Sequence, residues 1–136
     1  MLREELVAVE FNSGDAELDQ MLENARRKFL DPDPGVRREA LEKLWDAWER
    51  LKTLGIGSNK KVQTGDILDR AAGASSGKFR KVLENEAKEL TWIGNNLQIR
   101  HSEVTQEGLA AASHVDYLFH RLMAFVLLIL QSAEGN

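Results

Sequence analysis

DPDPGVRREALEKLWDAWERLKTLG, residues 31–55, decides the fold. Two prolines and a glycine open it, and twenty residues of helical pattern follow. Proline donates no backbone hydrogen bond and clashes with the preceding turn, so DPDPG must end whatever helix precedes it. The same residues start the next one. Asp33 stands as N-cap, and Pro34 takes the first helical position, where a missing N–H costs nothing. Val36, Ala40, Leu41, Leu44, Trp45, Trp48 and Leu51 then fall on one face and charged residues on the other. Gly55 reads as the residue just past the helix end.

Upstream, NSGDAELDQMLENARRKFLD carries Leu18, Met21, Leu22, Ala25 and Phe29 at helical spacing, with Ser13 or Asp15 as cap. The link between these two helices is short, which predicts an antiparallel hairpin. Residues 1–14 are expected to be an N-terminal extension or linker. VAVEF within them reads as a short strand or as the tail of a preceding element. The chain is expected to be one domain of a longer protein, with the bundle over residues 15–134.

Downstream, GIGSNKKVQTG is rich in turn formers and reads as a loop. Its Lys60 and Lys61 read as a solvated loop tip, with phosphate contact as the alternative. Asp66 is placed as the cap of a short helix, DILDRAAG, and GASSG as a break. A longer helix is expected from about Lys78 through FRKVLENEAKELTWIGNNLQI. Gly94 interrupts it. A glycine inside a helix costs roughly 1 kcal/mol against alanine, so it calls for a packing or site reason. SEVTQEGLAAAS reads as a loop. HVDYLFHRLMAFVLLILQSAEGN is the last helix, apolar on nearly all sides after Leu122 and therefore the central one. The fold class is all-α: a bundle of four main helices and one short one.

Composition agrees. The chain has 136 residues, 43% hydrophobic and 29% charged, as expected of one globular domain. It has no cysteine, which excludes disulfides and thiolate metal sites and suits a reducing, cytoplasmic setting. A net charge of -4 argues against a broadly basic nucleic-acid surface, though not against a local basic groove. MLREELVAVEF lacks the pattern of a signal peptide. LMAFVLLIL with its flanks is expected to fall short of the roughly 18–20 apolar residues of a spanning helix, so no membrane is expected.

Chemistry-bearing residues concentrate in WIGNNLQIRHSE, residues 92–103. Asn95, Asn96, Arg100 and His101 form the candidate catalytic set, with Glu103, His120 and Arg121 as possible neighbours. On a continuous helix Asn96 and Arg100 share a face, and Asn95 lies nearer His101. Arginine stabilises charge on a phosphate, and histidine moves a proton near neutral pH. The same residues also read as a polar helix end, with basic groups complementing the helix dipole. The histidines lack metal-pair spacing, so no metal is expected. Asp116, in the first turn of the last helix, reads as a capping group.

Three stretches, DPDPGVRREALEKLWDAWERLKTL, WIGNNLQIRHSE and HVDYLFHRLMAFVLLIL, give a layout over roughly residues 15–132 that resembles the HEPN superfamily. Within it, the layout is similar to the helical domains of bacterial abortive-infection and related phage-defence proteins. The resemblance implies a four- or five-helix bundle that commonly dimerises, and in many members a metal-independent ribonuclease without a cofactor. The motif is an arginine, often followed by a polar residue, with a histidine five to seven positions on. His101 matches the histidine and Asn96 the polar residue. The arginine position falls on Asn95, and Arg100 stands next to His101 instead. The resemblance thus implies either RNA cleavage by the RNA's own 2′-hydroxyl, or a non-catalytic dimerisation and scaffold module of a larger protein. In the first case His101 is acid or base, Arg100 the charge stabiliser, and Asn95 and Asn96 hold phosphate or ribose.

Overall fold

Asp33 and Pro34 start a helix as their chemistry requires. The Asp33 carboxylate accepts from the Gly35 N–H at 2.7 Å, and helix α3 runs Pro34–Leu51. Before it, Asp15 caps α2 (Ala16–Phe29) by accepting from the Leu18 N–H at 2.9 Å. These details belong to a computed structural model, which describes residues 3–74, 77–97, 99, 109 and 111–134. Within those residues the chain is all-helical: α1 (Arg3–Ala8), α2, α3, α4 (Lys60–Ala72), α5 (Gly77–Asn96) and α6 (Ala112–Glu134). The bundle expected from the sequence is present, with five long helices and one short one among the described residues.

The hairpin of α2 and α3 is the most closely packed pair, and α6 lies on α3 and α4 while α5 lies on α4. Trp45, Trp48, Phe119, Leu122, Met123 and Val126 are enclosed completely. The Phe29 and Phe119 rings stack 3.9 Å apart, joining α2 to α6, and Trp48 meets Phe125 edge-on at 5.5 Å. Aromatic pairs of this kind add about 0.5–1.5 kcal/mol beyond the area they bury. At the other end of the hairpin, Arg50 on α3 forks onto the Asp15 cap at 2.7 and 2.9 Å, tying the end of α3 to the start of α2.

Four local expectations are corrected. First, the opening segment is helical where a strand was one alternative. Leu6 of α1 is fully buried, and Arg26 of α2 donates to the Leu6 and Val9 carbonyls while lying over the Phe11 ring. Second, residues 60–65 are helix and not loop. Asn59 accepts from the Val62 N–H at 3.0 Å and starts α4 two turns earlier than Asp66 would. Third, Gly55 does not cap α3, which ends at Leu51. It is glycine because a Cβ there would overlap the Gln63 carbonyl of α4. Fourth, Ala112–Ser132 of α6 is long and apolar enough to cross a membrane by length and composition, because the helix begins ahead of His114 and only Asp116 and Arg121 in that stretch are Asp, Glu, Lys or Arg. More than half of that stretch is buried within the bundle.

Candidate functional site

Helix α5 positions the asparagines. Its inner face, Leu83, Ala87, Leu90, Ile93 and Gly94, is buried. Gly94 answers to packing: the Trp45 indole lies directly on its backbone, and the indole N–H donates to the Leu90 carbonyl at 2.8 Å. One turn further out, the Trp48 N–H reaches Thr91 Oγ1 at 3.2 Å. Two tryptophans of α3 therefore fix the last turns of α5, and with them Asn95 and Asn96.

Those two asparagines stand together at the C-terminal end of the helix. Asn95 is exposed, and the Asn96 amide donates back to the Trp92 carbonyl at 2.8 Å, closing the last turn. The helix that was to carry Asn96 and Arg100 on one face ends at Asn96. Arg100, His101 and Glu103 lie outside the described residues. Trp92, one turn before Asn96, is 58% exposed.

The remaining proposed neighbours are engaged elsewhere. Arg121 of α6 is held by Glu86 at 2.5 Å and Glu89 at 3.1 Å, and these carboxylates strengthen its hold on its proton. Asp116 does not cap α6: the helix begins at Ala112, its first turn holds no acidic residue, and Asp116 instead pairs with Arg37 of α3 at 2.7 Å, linking two helices. His120 sits edge-on to Phe29 at 5.2 Å, and among the described residues its Nδ1 has no hydrogen-bond partner. Burial pushes its pKa below the usual histidine range. Arg37 adds to that and Asp116 opposes it.

Sequence reasoning missed a polar cluster between α3, α4 and α5. Lys52, only 6% exposed, donates to Thr91 Oγ1 at 2.8 Å, pairs with Glu49 at 2.6 Å, and lies 5.3 Å from the Trp48 ring centre. Lys60 reaches Glu49 from α4 at 2.8 Å. Burial would raise the Glu49 pKa, but hydrogen bonds from Lys52 and Lys60 outweigh it and hold the carboxyl below its ordinary value. The signal was present: Lys52 continues the apolar series Leu41, Trp45, Trp48, where a lysine at a core position needs a partner. The arrangement is satisfied internally and acts as a clamp between helices.

No family model matches the chain, and no curated protein or solved structure matches it. The HEPN resemblance therefore rests on the three sequence stretches alone.

Proposed function

We propose that this chain is a HEPN-like helical module of a larger bacterial phage-defence or toxin-type protein, cytoplasmic, that pairs with a second copy of itself and holds partner domains without cutting RNA. The observation that carries this reading is the outward stripe of α6. Tyr117, Ala124 and Gln131 recur every seven residues and are exposed, with Leu128 half-buried between them. Tyr117 is 61% exposed. Arg121 is the one charge on this stripe and is neutralised by Glu86 and Glu89, whereas a helix that only closed a core would keep its outer face charged throughout. Exposed aromatic and small apolar residues in a line fit a facing helix, and large exposed apolar patches mark interaction sites. The turning of the Asn96 amide onto its own helix adds support, because that group is committed to the helix end.

A second reading is favoured by one observation of its own. Trp92, exposed one turn from Asn96, offers a flat face on which an unpaired base stacks. In that reading the chain is a metal-independent endoribonuclease. His101 moves the 2′-hydroxyl proton, Arg100 stabilises the phosphorane-like charge, and Asn95 and Asn96 hold the phosphate or ribose. The two are separated by incubating purified protein with a mixed RNA pool in EDTA, wild type beside His101→Ala and Arg100→Ala. The module reading expects intact RNA in all three. Cleavage that leaves cyclic phosphate ends and disappears in both variants would overturn it in favour of the nuclease.

A further inference from the structure

The antiparallel pair α4 and α5 leaves an open groove of about 640 Å³, separate from the α6 stripe and from the end of α5. Its lining runs along both helices. Val62, Gly65, Leu68 and Ala87 make an apolar floor, and Lys61, Arg80, Glu84 and Lys88 make the rim. Gly65 keeps the floor open, since an added Cβ there would meet only the Arg80 guanidinium, at 3.9 Å. Val62 remains 48% exposed on this floor, while Leu68 and Ala87 are already buried beneath it.

The charges have a direction. Near the turn between the helices, Arg80 crosses to Asp69 at 2.7 Å and closes that end. Counting eight residues back along α4 and eight on along α5 brings Lys61 and Lys88 to opposite lips of the open end. Glu84 is drawn to cations of its own helix, at 2.8 Å from Lys81, 3.8 Å from Arg80 and 3.9 Å from Lys88. Among the described residues Lys61 has no carboxylate partner. Three cations and one carboxylate thus rim an apolar trough, on a protein whose net charge is -4.

We infer that the α4–α5 groove receives an acidic amphipathic helix of a partner protein. Eight residues of wall give about 12 Å, or two helical turns. A groove of that length and volume accepts one face of a helix half-sunk between two others, the helix-in-groove mode of recognition. The apolar face of such a segment covers Val62, above the buried Leu68 and Ala87, and its flanking carboxylates meet Lys61 on one lip and Lys88 on the other. Charge complementarity selects the partner: a basic helix is repelled at both lips, and an uncharged one leaves Lys61 without a carboxylate.

The test uses a labelled synthetic peptide of about 14 residues, four helical turns, with leucines on one face and glutamates on the other. A matched peptide carrying lysines in place of the glutamates and a single-stranded RNA serve as competitors. Fluorescence anisotropy should report saturable binding of the acidic peptide only. Lys61→Glu with Lys88→Glu should weaken it at least about tenfold, the effect of two reversed rim charges. Gly65→Met, which fills the trough and leaves every charge in place, should weaken it too. The inference is overturned by absence of binding up to about 1 mM, or by binding that Gly65→Met leaves unchanged, since that would be surface attraction alone. RNA that binds through Lys61 and Lys88 and displaces the peptide would overturn it as well, assigning the lysines to phosphates.

Discussion

Replacing Gly94 by alanine should destabilise the protein, although the same change in an open helix would stabilise it. Alanine gains about 0.8–1 kcal/mol of helix propensity over glycine. Against this, a Cβ at position 94 would stand 2.6 Å from the Trp45 indole nitrogen and closer still to its neighbouring carbon. Trp45 is fully buried and its N–H is bound to the Leu90 carbonyl, so the ring has little room to retreat. Overpacking of this kind costs about 1–3 kcal/mol, and a weakened buried hydrogen bond about 1–3 kcal/mol more. The net expectation is a loss of about 3 kcal/mol. Unfolding entropy scales with length at about 2.1 cal/mol/K per residue, so over 136 residues this loss lowers Tm by about 10 °C. Gly65→Ala is the internal control: it too lies within a helix, but its added Cβ would meet nothing closer than 3.9 Å. It should raise Tm by about 3 °C. Thermal unfolding followed by circular dichroism reads both. A Gly94→Ala protein as stable as wild type, or more so, would refute the placement of Trp45 against α5.

Other perturbations test other joints of the bundle. Lys52→Met should cost about 2–3 kcal/mol in urea unfolding, because it strips one of two cations from a half-buried Glu49 and leaves Thr91 without its ammonium donor. Wild-type stability in this variant would mean that the clamp between α3, α4 and α5 does not form. Leu6→Ala should cost about 2–4 kcal/mol, as for other enclosed leucines, whereas a dispensable leader would show no change. Stability should also fall with acidification in two stages. His120 has a depressed pKa, so the unfolded chain binds its proton first and stability declines as pH drops below about 6.5. Asp15 and Glu49 are depressed as well, and their contribution is present above the ordinary carboxylate range and is lost as pH falls through and below it. His120→Phe should abolish the first stage alone in a pH series of denaturation midpoints.

Much of the bundle was legible because its strongest signals are local. Asp33 and Pro34 start α3 by backbone chemistry that tertiary contacts do not override, and the spacing of Leu44, Trp45, Trp48 and Leu51 names the buried face directly. The start of α4 was hidden because Gly55, Gly57, Ser58 and Asn59 are all turn formers. Only the Asn59 bond to Val62 distinguishes a cap from a loop. Helix α1 was hidden because its place in the core depends on one leucine and on a partner, Arg26, far along the chain. The reason for Gly94 could be anticipated in kind but not in partner, since Trp45 reaches it only through the fold. Within the candidate site, the pairing of Asn95 and Asn96 follows from adjacency. The engagement of Asn96 with Trp92 follows from where the helix stops, which polar residues alone do not fix.

The central claim, that the exposed stripe of α6 pairs with a second copy, is tested most directly by light scattering across a concentration series, wild type beside Ala124→Glu. Ala124 is exposed, so the substitution leaves the core alone and places a charge in the middle of the stripe. Wild type should be a dimer, and the variant monomeric with unchanged helix content. A wild type that is monomeric at every concentration, or a dimer indifferent to Ala124→Glu, would contradict it.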